Sequence, residues 1–209
     1  MSLLSTTRRS TRLLVAALVG TTAVLVPLAA AEAAGPSSAA PGDRGRLMLV
    51  LDSSGSMAEP ASGGGTKIQA AKTALHDVVD GLPTDAEVGM RVYGAKVFSR
   101  SDAGACTDSQ RVVDLGSDNR ADLQSAIDAY KPYGETPIGY ALQEAAADLG
   151  GEGPRSIVLV SDGEPTCPPD PCKVARQISK DGVDVRIDVV GLDVSGNMRL
   201  IHVLSLPQG

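Results

Sequence analysis

Three short polar segments hold the residues whose types and spacing could do chemistry. Asp52-Ser53-Ser54-Gly55-Ser56 sets a carboxylate and two hydroxyls at alternate positions, so Asp52, Ser54 and Ser56 can point inward from one tight loop. Gly134-Glu135-Thr136-Pro137 delivers a hydroxyl at a helix start, and Ser161-Asp162-Gly163-Glu164 brings a second carboxylate. Asp52, Ser54, Ser56, Thr136 and Asp162 then make five oxygen donors on three loops. Hard oxygen ligands with few carboxylates suit Mg²⁺ or Mn²⁺, an ion that keeps waters and an open position. Each segment has a plainer reading: a turn at residues 52–56, a helix N-cap at Thr136 and a turn after a strand at Asp162-Gly163. Their co-occurrence, in order and at one edge of a sheet, favours the metal.

The elements that must position these residues alternate along the chain. Arg46–Leu51 (RLMLVL) is a short apolar run, read as a buried strand. A helix follows from about Lys67 to Val79, with Ile68, Ala71, Leu75 and Val78 on one face and Gly81 and Pro83 closing it. Glu87–Tyr93 and Arg111–Leu115 read as strands, and Asn119 caps a helix carrying Leu123, Ala126, Ile127 and Tyr130. Thr136 as N-cap and Pro137 at the first helical position open a helix with the stripe Ile138, Ala141, Leu142, Ala145 and Leu149. Ser156–Val160 is a continuous apolar strand, Asp170-Pro171 opens another helix, and Val183–Leu192 is a further strand. Strands alternating with helices of this length predict an α/β fold, a doubly wound and mostly parallel sheet flanked by helices. Ligands of such sheets bind at the carboxyl ends of the strands, where the three polar segments fall.

DSSGS after an apolar strand, Thr136 in GETPIGYAL and SDGE after SIVLV resemble the metal-ion-dependent adhesion site of von Willebrand factor type A domains. The resemblance covers about Arg46 to Leu192. It implies a Rossmann-like fold in which Ser54 and Ser56 contact the ion directly, while Thr136 and Asp162 bind it directly or through water. A carboxylate from an exposed Asp or Glu of a protein partner would fill the vacant position. The resemblance also implies a last strand and a closing helix, for which Asp193–Gly209 leaves no room; Met198–Leu204 reads at most as a helical turn or two. The domain over residues 46–209 is therefore expected to be incomplete at its C-terminal end.

Composition narrows the function. The chain of 209 residues has no Trp, one Phe and four Tyr, so its core must be aliphatic, which suits a parallel sheet under helices. A formal charge of −6 argues against nucleic acid, whose phosphates require clustered Lys and Arg. Arg8, Arg9 and Arg12 precede the apolar run Leu13–Ala31, and Ala31-Glu32-Ala33-Ala34 offers a cleavage site, so residues 1–34 read as a signal peptide. An uncleaved membrane anchor is the rival, since the run is long enough to span. Residues 35–45 are a Pro/Gly-rich linker. Export predicts a secreted or cell-surface protein and permits disulfides. Cys167 and Cys172 bracket the tight loop CPPDPC and are expected to bridge locally, leaving Cys106 without a partner.

A binding module is expected rather than an enzyme. Ser54 as a nucleophile lacks a base, because His76 lies mid-helix and His202 in the tail. The alternative is a metal-dependent hydrolase at the same site, with Glu135 or Glu164 handling the proton of a water.

Overall fold

The central strand β1, Arg46–Asp52, is buried along its last five residues and is flanked on both sides by parallel strands. A computed structural model describes residues 45–151, 153–180, 185–191 and 199–201, all within the unit Ser38–Gly209. Around β1 the sheet is ordered β3-β2-β1-β4-β5-β6, with β2 at Glu87–Tyr93, β3 at Ser109–Gly116, β4 at Arg155–Ser161, β5 at Val185–Gly191 and β6 at Arg199–Ile201. The strands β1, β2, β4 and β5 run parallel; β3 is antiparallel to β2 and β6 antiparallel to β5. The expected mostly parallel α/β sheet is therefore the one observed. The proposed signal peptide and nearly all of the linker lie outside the described residues. Among the described residues no helix is long and apolar enough to cross a membrane.

Period-two alternation sends successive side chains of each strand to opposite faces. Leu49 and Leu51 of β1 join Met90 and Val92 of β2 under Ile68, Leu75 and Val79 of α1 (Lys67–Gly81) and Leu123 and Ile127 of α2 (Arg120–Ala129). Met48 and Val50 join Ile157 and Leu159 of β4 on the other face. Covering them are Ile138, Leu142 and Leu149 of α3 (Ile138–Leu149) and Val174 and Ile178 of α4 (Pro171–Lys180). Each fully buried Leu or Ile of this kind contributes about 1.5–3 kcal/mol. The inward stripe of α1 ends on Val79, whereas the expected Val78 is only half-buried: positions three and four beyond Leu75 both border the inward face, and packing covers the second.

Two boundary expectations are corrected. Helix α3 begins at Ile138 with Pro137 in the N-cap position, one residue later than expected. Thr136 is thus left in the loop ahead of the helix. At the other end, Arg199–Ile201 pairs with β5 as a short sixth strand where a helical turn, and no room for a further strand, was expected; the residues around it lie outside the described set.

The cysteine expectation is overturned. Cys106 and Cys167 form the disulfide, with Cα atoms 5.3 Å apart, and Cys172 is free and exposed. Spacing in sequence misleads here because the strand order brings the β2–β3 connection against the β4–α4 connection. Cys172, five residues from Cys167, is instead committed to the first turn of α4. There its N–H and that of Lys173 both donate to the Asp170 carboxylate, which caps the helix. A Cys167→Ser protein is expected to lose about 2–5 kcal/mol of unfolding free energy, as a native bridge of this span usually supplies. Cys172→Ser should stay within about 0.5 kcal/mol of wild type, as exposed changes do. Denaturant titrations check both, and equal losses would place Cys172 in the bridge.

Candidate metal centre

Helices α1 and α4 cover opposite faces of the sheet, so the chains leaving β1 and β4 part in opposite directions. The carboxyl ends of these neighbouring strands are the usual ligand position in such a fold. Register pairs Leu51 with Val160, which sets Asp52 beside Ser161 at this edge.

Asp52 is fully buried. Its Oδ1 accepts the backbone N–H of Ser54 at 2.8 Å and its Oδ2 accepts the Ser161 hydroxyl at 2.7 Å. Burial pushes its pKa up, and the Ser54 and Ser161 hydrogen bonds pull in the opposite direction. Tyr93, also fully buried, lies against the same carboxylate, and desolvation together with the Asp52 charge keeps its phenol protonated. With both Asp52 oxygens engaged, this carboxylate orients the loop after β1 rather than standing free.

That loop continues along the sheet before it turns. Ser53 N–H donates to Tyr93 O, Tyr133 N–H donates to Ser53 O, and Gly55 N–H donates to Gly134 O. A single 3-10 turn at Gly55–Ala58 then buries Met57 and returns the chain to α1. The turn brings the Ser54 and Ser56 hydroxyls to 3.1 Å from each other. Thr136, 3% exposed, arrives from the segment ahead of α3, where the Thr166 hydroxyl accepts its N–H at 2.8 Å and its carbonyl accepts the Thr166 N–H.

Asp162 leaves β4 and turns toward α1. Its Oδ2 meets the Lys67 ammonium at 2.9 Å, and Lys67 also reaches Glu59 Oε2 at 2.6 Å. Glu59 first, and Asp162 with it, raise the pKa of Lys67 against the cost of its burial. Asp162 Oδ1 is buried without a hydrogen-bond partner among the described residues. The sequence-identified donors thus fall on the same three loops at one sheet edge. Ser161, Lys67 and Glu59 complete the arrangement and were not singled out by sequence. Ser161 had a signal, as the first polar residue after the apolar run Ser156–Val160; Lys67 and Glu59 had none. Among the described residues no group of three His, Cys, Asp or Glu side chains is placed to hold a metal ion; the oxygen donors gathered at this edge are mostly hydroxyls.

The two glutamates considered for proton handling sit differently. Glu135 accepts hydrogen bonds from Arg100 at 3.3 Å, and the Thr166 hydroxyl followed by Arg100 holds its pKa below the ordinary value. Glu164 is exposed. On the rim, the rings of Phe98 and Tyr133 lie 5.3 Å apart and are the large exposed apolar side chains among the described residues. His76 is occupied elsewhere, against Gln124 and Asp128 of α2.

Comparison with known proteins agrees with this architecture. A family model for the von Willebrand factor type A domain matches residues 47–164. The uncharacterized protein YwmC of Bacillus subtilis (strain 168) is 31% identical over 172 residues, covering 80% of this chain and 73% of that protein. Among solved structures, the von Willebrand factor type A protein from Catenulispora acidiphila superposes with a TM-score of 0.55 at 23% identity over 71% of this chain. The manganese-loaded TRAP protein of Plasmodium vivax gives 0.54 at 20% identity over 72%. This chain spans 33% and 58% of those two solved chains, respectively, and the likeness to them is one of fold.

Backbone proximity holds the three loops in place. Gly94, at φ +67°, ends β2 so close to its neighbours that an added Cβ would lie 2.4 Å from Glu135 O and 3.1 Å from the Ser54 backbone. Gly94→Ala therefore meets both a strained dihedral and a clash. It is expected to cost about 2 kcal/mol or more, a fall of at least about 4 °C in the thermal midpoint for a domain this size. Calorimetry checks this; an unchanged midpoint would show that the loops can part without loss.

Proposed function

We propose, from the premise that this chain belongs to the von Willebrand factor type A domain family, that it is an extracytoplasmic binding module of the adhesion type. In this reading a Mg²⁺ or Mn²⁺ ion at the sheet edge captures an exposed Asp or Glu of a protein partner. One observation carries the proposal: Asp162 keeps a buried, unpartnered carboxylate oxygen on the edge where the Ser54 and Ser56 hydroxyls lie 3.1 Å apart. A buried polar atom without a partner is costly unless something binds it. Oxygen donors with few carboxylates suit these ions.

Ser54, Ser56, Thr136 and Asp162 would hold the ion. Asp52 would act from beneath, fixing Ser54 through its N–H and Ser161 through its hydroxyl. Once bound, the ion supplies a positive centre with a ligand position left for a carboxylate. The manganese-loaded state of the Plasmodium vivax protein supports a divalent ion in a domain of this fold. The exposed Phe98–Tyr133 pair offers apolar area for the partner to cover beside its acidic group. Secretion rests on the positively charged, apolar N-terminal stretch of the sequence.

Binding is favoured over hydrolysis at this site. Glu135 is held ionised by Thr166 and Arg100, which weakens it as a proton acceptor near neutral pH.

Thermal melts with Mg²⁺, Mn²⁺ or EDTA test the reading. A ligand confined to the native state adds about 2.7 kcal/mol at a hundred times its dissociation constant, or about 5–10 °C in the midpoint here. The rise is expected in wild type, absent in Asp52→Asn and in Ser54→Ala/Ser56→Ala, and reversed by EDTA. A wild-type midpoint indifferent to both cations would sink the proposal.

A further inference from the structure

Lys67 occupies a position that the helix it begins does not explain. As the first residue of α1 it places a positive charge at the positive end of the helix dipole, with no acidic residue in that first turn to offset it. Its side chain is nevertheless 13% exposed and turned inward, between Glu59 Oε2 at 2.6 Å and Asp162 Oδ2 at 2.9 Å. The backbone enforces this: Lys67 N–H donates to Glu59 O at 2.9 Å, and Thr66 N–H donates to Gln69 Oε1 at 2.9 Å, fixing the start of the helix. Asp162, whose side chain is 6% exposed, thus has one oxygen on an ammonium and the other without a partner.

We infer that Lys67 is a tethered cation of the site: it neutralises Asp162 while no divalent ion is bound, and its charge lowers the affinity of the site for that ion. The inference rests on the metal reading given above and adds a residue that sets its strength. Two like charges sharing a carboxylate repel, and strongly so away from bulk water. A divalent ion using Asp162 must therefore tolerate the ammonium or displace it onto Glu59, which at 62% exposure can receive it at the surface. The sites filled would then depend on cation concentration over a weak range, while the cation-free protein avoids an uncompensated buried carboxylate.

Titration calorimetry with Mg²⁺ and with Mn²⁺ on wild type, Lys67→Gln, Lys67→Met and Lys67→Arg tests this, alongside melts in EDTA. Lys67→Met keeps the apolar stem and serves if the glutamine variant folds poorly. The neutral variants are expected to bind the cation at least about tenfold more tightly, equivalent to about 1.4 kcal/mol. They should melt below wild type in EDTA and recover that deficit in saturating cation, while Lys67→Arg retains wild-type affinity. A lysine with only a structural role would lower stability with and without cation and leave affinity unchanged, which overturns the inference. Wild type binding the cation with neutral variants no tighter overturns this inference alone. Absence of binding in every variant overturns both it and the metal reading.

Discussion

Asp52 is a carboxylate with no exposed surface at the carboxyl end of the central strand. Removing a charge from water costs several kcal/mol unless neighbours compensate. Here the compensation comes from the Ser54 N–H and the Ser161 hydroxyl, which engage both oxygens from two different strand ends. That requirement ties the loop after β1 to the end of β4, and the tie exists only because β1 and β4 are neighbours. Loosening either strand end would expose or orphan the carboxylate, so the geometry of the edge and the stability of the sheet centre are one problem.

The surrounding loops are held by means that do not depend on the sheet ladder. Asp108 accepts the N–H groups of Lys96 and Val97, each at 2.8 Å, pinning the connection after β2. The Cys106–Cys167 bridge fastens the end of that connection to the one after β4. An added Cβ at Gly139 would lie 2.0 Å from Pro169 O, so the β4–α4 connection rests directly on the first turn of α3. Behind them, Arg91 of β2 is buried and paired with Asp148 and Glu144 of α3, which fastens that helix across the sheet. Side chains held on rigid elements by such support are the arrangement a binding site needs.

Much of this was legible in the chain. The runs at Arg46–Leu51 and Ser156–Val160 are continuous and aliphatic because both faces of the sheet are covered, and they read as buried strands. The stripe from Ile138 to Leu149 has the helical period, which selects every buried residue of the helix but Gly139, packed against Pro169. Asp52, Ser54, Ser56, Thr136 and Asp162 stood out because each follows or precedes such a run, and the fold brings the ends of those runs to one edge. The cysteines misled, because a tight loop between Cys167 and Cys172 suggests a local bridge. The capping of α4 by Asp170 instead fixes Cys172 in the helix.

What the sequence by itself determined was the alternation of strands and helices, the oxygen-rich segments between them and the charge balance. These are encoded in periods of two and 3.6 residues and in single turns, within reach of local interactions. Tertiary structure alone decided which groups meet. Ser161 reaches Asp52 across 109 positions, Lys67 reaches Asp162 across 95, and Cys106 reaches Cys167 across 61. Such pairs are set by strand order, and strand order follows from how two helical layers cover both faces of one sheet, a condition on the whole chain that no local stretch contains.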